Sequence, residues 1–233
     1  MEVRLNKYLA DRKLASRREA DVLIAEGKVL VNGKKAVIGQ KIGEDDIVRL
    51  SPSATRAKNY IAYYKGAGII THSPKEGEMD IVTKIKKDYS LTGLSPIGRL
   101  DKASEGLILL SDDGLVTGAL LEPGNENEKE YEVIVDKPVT SGFLKKLERG
   151  VRIEGYLTKP ALAVKKSEKT FRIVLTEGKK HQIRRMCAAL GWQVKNLKRV
   201  RIVNVELGRL KPNQYRKIAG KELQDFLKEI GLG

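Results

Sequence analysis

The chain has 233 residues, with 45 Lys plus Arg against 30 Asp plus Glu, a formal charge of +15 and a pI near 9.7. Its 41% apolar content is too high for a disordered chain and sufficient for one large core or two smaller ones, and so large a basic surplus points to a polyanionic partner. No apolar run approaches the roughly 20 residues of a membrane span, no apolar signal core follows Met1, and one cysteine, Cys187, with two histidines provides neither an internal disulfide nor a metal cluster, so no membrane partner is expected and a reducing cytoplasm is the expected compartment.

The first 50 residues read as a compact unit. Leu5, Tyr8 and Leu9 fall at helical spacing, in a helix expected to end near Lys13. Ser16-Arg17-Arg18-Glu19 fits a capping box, with Ala20, Leu23 and Ile24 on one face of the helix that follows and Gly27 stopping it. Lys28 to Val31 and Lys34 to Val37 flank Asn32-Gly33, a strong hairpin signal. Arg17 and Arg18 occupy a first helical turn, where the helix dipole disfavours cations by about 0.3–1 kcal/mol each, so stability alone does not account for them.

Residues 51–58 carry turn-type residues without periodicity and read as a flexible linker, with a second domain over 59–233. Tyr60 to Tyr64 and Ile69 to His72 look like two strands around a glycine turn, and Ile81 to Asp88 like a short helix. His72 is a lone histidine and is assigned no role.

Asp101 stands between the cations Arg99 and Lys102, which favour its ionised form, and an ionised, positioned carboxylate serves as nucleophile or base. Leu107 to Leu110 reads as a buried strand, Asp112 or Asp113 as the cap of a helix over 115–121 closed by Pro123-Gly124, and Glu130 to Asp136 as a half-buried strand with Tyr131 on the side of Val133 and Val135. An amphipathic helix over 140–149 and strands at Arg152 to Ile153, Ala161 to Val164 and Phe171 to Leu175 follow.

From Lys179 to Lys217, 12 Lys or Arg residues face a single acid, Glu206. Within this stretch Ile183, Met186, Cys187 and Leu190 make a helix stripe capped by Gly191, with Arg184 and Arg185 beside it; Cys187 is most simply core. A basic run without interleaved acids is poor surface design unless something negative binds it. Trp192 to Leu207 is strand-like, and Glu222 to Ile230 is a closing helix.

The string Gly98-Arg99-Leu100-Asp101-Lys102, followed by Ser104-Glu105-Gly106-Leu107, resembles the catalytic motif of bacterial ribosomal RNA pseudouridine synthases of the RsuA and RluB/RluE/RluF type. Lys129 to Val133 is similar to the family's tyrosine motif and Gly178 to Met186 to its third motif, while residues 1–50 resemble the S4 RNA-binding domain. The resemblance implies an α+β architecture: a small N-terminal module of two helices and a hairpin, then a mixed, largely antiparallel sheet with flanking helices. It implies that Asp101 is the catalytic carboxylate, that Tyr131 stacks on the target base, and that Arg184 pairs with Asp101. It further implies RNA contacts at Arg17, Arg18, Lys28, Asn32 and Lys34 in the module and at Arg99, Lys102, His181, Gln182 and Arg185 around the site.

Gly124-Asn125, Glu128 to Tyr131, Val135 to Pro138 and Lys195 to Val205 look more like the RluF branch, which implies a large-subunit rRNA stem-loop as target and a tRNA as a second candidate. His181 departs from the arginine that RluF-type proteins can carry there. Pseudouridine formation breaks the ribose C1′ to uracil N1 bond, turns the base and rejoins it at C5, with no net electron transfer. No metal, nucleotide or redox cofactor is therefore expected, and the sequence holds no Walker loop or dinucleotide fingerprint. Asp101 attacking C1′ and Asp101 removing a ribose proton to give a glycal both remain open.

Two rival readings stand beside this one. Glu105 as a second acid would make a glycosidase that releases a base or sugar. A non-catalytic RNA-binding or ribosome-assembly protein shares the basic charge and the module, and is told apart by Asp101, Tyr131 and Arg184 acting together. A monomer is expected.

Overall fold

The computed structural model describes residues 2–54, 57–122 and 124–233. The N-terminal unit runs β1 (Val3–Arg4), α1 (Leu5–Asp11), α2 (Arg17–Ala25), β2 (Val29–Val31), β3 (Lys34–Lys35), β4 (Lys41–Ile42) and β5 (Val48–Leu50). Leu5 and Leu9 of α1 and Ala20, Leu23 and Ile24 of α2 close over Val29, Val31 and Ile42 in a core of their own. Ser16 caps α2 as expected, its Oγ accepting from the Glu19 amide at 3.3 Å, a contact worth about 1 kcal/mol. The carboxylate of Glu19 does not close the box; it ion-pairs with Lys58. Asn32 and Gly33 take φ of 50° and 78°, the two left-handed positions that a tight hairpin turn requires.

In the expected linker, Pro52–Ala54 forms a 3₁₀ turn, and Thr55 and Arg56 lie outside the described residues. The N-terminal unit touches the rest of the chain directly. Lys13 Nζ donates to the Gly231 carbonyl at 2.6 Å, and a Cβ on Gly114 would lie 2.3 Å from Ser16 Oγ, so the glycine admits the approach of α2.

The larger part runs β6 (Tyr60–Lys65), α3 (Ile81–Tyr89), β7 (Ser95–Ile97), β8 (Glu105–Ser111), α4 (Gly114–Leu121), β9 (Lys129–Val135), α5 (Ser141–Glu148), β10 (Arg152–Ile153), β11 (Tyr156–Leu157), β12 (Leu162–Lys165), β13 (Thr170–Leu175), α6 (Gln182–Ala189), β14 (Val194–Ile202), β15 (Val205–Glu206), β16 (Tyr215–Lys217) and α7 (Gly220–Glu229). Its main sheet has the order β12-β13-β9-β14-β8-β6-β16, with β15 paired to β14 and β7 to β8. β14 and β8 run parallel; the other pairings among the described strands are antiparallel. The architecture is the mixed, largely antiparallel α+β sheet with flanking helices that the sequence implied.

β6 and β8 are covered on both faces. Ala62, Leu107 and Leu109 pack with Val116 and Leu120 of α4 and Phe226 of α7; Ile61, Tyr63, Ile108 and Leu110 pack with Ile81 and Ile85 of α3. That double burial explains the unbroken apolar run from Leu107 to Leu110. β9 is covered on one face, where Val133 and Val135 meet Phe143 and Leu147 of α5 and Met186 and Cys187 of α6, while Ile134 faces outward.

Ile69 to His72 does not form the expected strand: Ile70 makes a single bridge to Asp80, and Thr71 turns its side chain to Leu100. Pro123, expected to close α4, lies outside the described residues. β7 and β16 were not foreseen.

Candidate active site

The loop between β7 and β8 carries Asp101 and is held from several sides. Thr71 Oγ1 donates to the Leu100 carbonyl at 2.8 Å and accepts from the Leu100 amide at 3.1 Å. The Ser104 amide closes a turn on the Asp101 carbonyl at 3.0 Å, and the Gly68 amide donates to the Lys102 carbonyl at 2.8 Å. Gly98 enters the loop with φ of 77°, and Gly106 leaves it with φ of 107°. A Cβ on Gly106 would lie 2.3 Å from the Arg199 carbonyl oxygen, so β8 can approach β14 closely only with glycine at that position.

Asp101 is about one-third exposed, and its Oδ2 lies 2.8 Å from His181 Nδ1. A carboxylate can only accept, so Nδ1 carries the proton in this bond. His181 precedes α6 in a left-handed conformation, φ 53°, which is uncommon outside glycine and aims the ring back at the loop.

Asp101 opens onto a cleft of about 810 Å³. One wall is the Asp101 loop, another the segment from Glu177 to Ile183, and the floor is the sheet face carrying Lys129, Tyr131, Leu175, Leu197, Arg199 and Ile202. These six share a face because Tyr131 sits opposite Arg199, and Lys129 opposite both Ile202 and Leu175, in the strand registers. Tyr131 packs against the clusters on both sides, so its ring is fixed beside the cleft rather than lost in one core.

Three cations at or beneath the cleft floor carried no site role in the sequence: Lys65, Lys129 and Arg199. Lys65 is fully buried and donates to the carbonyls of Gly66 at 3.0 Å and Ile69 at 2.8 Å, with Lys102 at 3.5 Å. Burial pushes its pKa down to about 8, Asp101 and Glu105 pulling it up and Arg199 pressing it further down. Lys129 is likewise pushed down to about 8, by burial first and then by Arg199. Arg199 is 3% exposed; its Nε donates to the Leu107 carbonyl at 2.7 Å and Nη1 to the Arg99 carbonyl at 3.4 Å. An arginine in a basic run, as Arg199 is, looks like surface until the register turns it inward, and the alternation of β9 around Tyr131 was the available signal for Lys129.

The structure brings some expected site residues together and not others. Asp101, Tyr131, Arg99, Lys102, His181 and Gln182 line the one cleft. The expected pair between Arg184 and Asp101 is not made. Arg184 sits in the first turn of α6, where its guanidinium bonds the Val194 carbonyl at 3.2 Å, the Ala103 carbonyl at 3.4 Å and Ser104 Oγ at 3.5 Å, while His181 takes Asp101. Arg184 thus braces the loop behind the carboxylate.

Gln182, expected to contact RNA, is buried, its Oε1 accepting from the Lys179 amide at 2.9 Å and its Nε2 donating to Glu177 at 2.7 Å. Arg185 is ion-paired with Glu154 and Lys102 with Glu78, the latter at 2.7 Å. Glu105, the alternative second acid, accepts from Tyr64 at 2.9 Å and Asn196 at 2.9 Å and is not among the residues lining the cleft.

In the N-terminal unit, Arg17 lines a shallow groove with Arg4 and Lys7, and Arg18 and Lys34 are exposed. Lys28 pairs with Glu26 at 2.7 Å. Asn32 holds the hairpin to the loop before β5: its side-chain nitrogen donates to Asp46 at 2.6 Å and its side-chain oxygen accepts from the Ile47 amide at 2.9 Å.

Asp101 in a cleft whose charged side chains are mostly basic, beside a fixed tyrosine and joined to a small helical module with an exposed basic turn, is the arrangement of an enzyme that works on RNA. A profile of the RNA pseudouridylate synthase family matches residues 59–189, and one of the S4 domain matches residues 3–48. The chain is 40% identical to the dual-specificity RNA pseudouridine synthase RluF of Escherichia coli K12, over 98% of this chain and 79% of that one. It is 35% identical to the ribosomal large subunit pseudouridine synthase B of Bacillus subtilis, over 95% and 94% of the two chains. A crystal structure of a pseudouridylate synthase superposes with a TM-score of 0.71 at 28% identity, covering 96% of this chain and 99% of that one. The chain belongs to the RNA pseudouridylate synthase family and is an RNA pseudouridine synthase carrying an N-terminal S4 domain. The reading as a non-catalytic RNA binder is thereby set aside.

Proposed function

We propose that the enzyme isomerises one uridine of large-subunit ribosomal RNA in the cytoplasm, with a tRNA as second substrate, and that Asp101 carries the reaction. The observation behind this reading is the shared cleft: Asp101 on one wall, Tyr131 on the floor, and cations around both. In this scheme residues 1–50 anchor folded RNA by its phosphates, residues 51–58 link, and residues 59–233 perform the chemistry as a monomer. The large-subunit target is supported by the likeness to the ribosomal large subunit synthase, and a second RNA substrate by the likeness to dual-specificity RluF; that this second RNA is a tRNA rests on the sequence resemblance alone.

A uridine taken out of its helix stacks on the Tyr131 ring, an arrangement that suits an unpaired base. Asp101, held at Oδ2 by His181 and from behind by Arg184, presents Oδ1 to the ribose. It either attacks C1′ or takes the C2′ proton, and in both routes the electron pair of the C1′–N1 bond leaves with uracil. One carboxylate suffices because that charge spreads over two carbonyls.

The test is Asp101→Asn. RNA affinity stays within about a factor of two while isomerisation stops, and mapping of pseudouridine in rRNA and tRNA from cells with and without the protein identifies the uridine. Substantial turnover by the variant would remove Asp101 from the chemistry.

A further inference from the structure

The floor of the cleft holds more positive charge than Asp101 can use. Arg199 is 3% exposed, no carboxylate lies within ion-pair distance of it among the described residues, and its Nη2 has no hydrogen-bond partner among them. An unpaired buried guanidinium is costly, because a charge leaves water without a counter-charge to replace the hydration. Lys129 projects from the same face, with one hydrogen bond, 3.0 Å to the Asn127 carbonyl. Both flank Tyr131, Arg199 across the strand pair and Lys129 two residues earlier on the same strand.

We propose that Arg199 and Lys129 form the subsite for the uracil carbonyl oxygens and stabilise the negative charge that the base acquires when the C1′–N1 bond breaks. This deepens the reading above and rests on it. When the bond breaks heterolytically, its electron pair goes to N1 and is delocalised onto O2 and O4. When C5 bonds to C1′, the Asp101–C1′ bond breaks in the first route and the proton taken by Asp101 returns to C2′ in the second; the proton then lost from C5 is matched by one gained at N1, so the product is an isomer of the substrate. The charge on the base appears in both routes open to Asp101, so the subsite serves either.

A base lying on Tyr131 has its carbonyl edges beside these two cations. Arg199 is held by Leu107 and Arg99 carbonyls before substrate arrives, so little reorganisation accompanies the reaction. The lowered pKa of Lys129 fits a site built for an anion that is absent in the free enzyme.

Lys129→Gln and Arg199→Lys are compared with wild type in single-turnover reactions on a substrate RNA stem-loop, with binding measured separately. Loss of one such donor reduces the rate by about 10²-fold, and RNA affinity changes by less than about threefold because the effect is confined to the transition state. The same RNA carrying 5-fluorouridine provides the second readout. Its base leaves more readily, so C1′–N1 cleavage in the variants falls less than with uridine.

Lys129→Gln is the decisive variant, since it breaks a single hydrogen bond to protein. A rate within about twofold of wild type, or equal losses on uridine and 5-fluorouridine, would overturn the subsite. Wild-type-like turnover by Asp101→Asn would instead overturn the underlying assignment, so the two failures are told apart.

Discussion

Replacing His181 tests whether the bond to Asp101 matters to the chemistry. A hydrogen bond to a charged group contributes about 1.5–3 kcal/mol when sheltered. Asp101 and His181 are 35% and 44% exposed in their side chains, so solvent competes and about 1–1.5 kcal/mol is the reasonable share. In rate this is about five- to tenfold. Asparagine at 181 places its amide nitrogen near the position of Nδ1 and tolerates φ of 53°, whereas glutamine places it near Nε2. Glycine removes the donor and the backbone strain together.

The expected order of single-turnover rates is therefore wild type, then His181→Asn close behind, with His181→Gln and His181→Gly about five- to tenfold slower. RNA affinity should stay within about twofold for all three, and the thermal midpoint of His181→Gly should not fall, since that variant relieves the left-handed residue. A glycine variant that turns over at the wild-type rate would refute the positioning role. A loss confined to RNA affinity would make His181 an RNA contact instead.

Removing Arg17 and Arg18 together, Arg17→Ala with Arg18→Ala, should weaken RNA binding and flatten the plot of log affinity against log salt by about 0.7–0.9 for each phosphate the two arginines neutralise, as a filter-binding titration would show. Gly106→Ala combines φ of 107° with a Cβ placed 2.3 Å from the Arg199 carbonyl. It should cost about 3 kcal/mol or more, read as a large drop in denaturant midpoint or a failure to fold. Lys65 has a folded pKa of about 8, below the 10.5 of the unfolded chain. Between those values the unfolded state binds more protons, so this group makes stability rise with pH there. Chemical denaturation of wild type and Lys65→Met from pH 8 to 10 should show the wild type gaining on the variant; parallel curves would mean that Lys65 does not titrate in this window.

Local chemistry in the sequence determined many of the elements. Ser16, Asn32-Gly33 and the stripe at Ile183, Met186, Cys187 and Leu190 act within a few residues of themselves, so capping, turn and helix could be read without tertiary knowledge. Asp101 stood out through the resemblance of Gly98 to Leu107 to a family motif, not through local chemistry. Short strands such as β16 stayed hidden because their pairing partner, β6, lies about 150 residues away in the chain. The partner of Asp101 was decided only in three dimensions, since the left-handed turn at His181 brings the imidazole in and leaves Arg184 bonded behind the loop.

The same holds for charge. The basic stretch after Lys179 has almost no acids of its own, yet Glu128, Glu130 and Glu132 of the β9 region come across to Arg201 and Lys198. Arg199, on the opposite face of the same strand, receives no such partner among the described residues and points its charge beneath the cleft. Sequence order assigns the number of charges, but strand register assigns their neighbours, and a cation one residue along a strand faces the other side of the sheet.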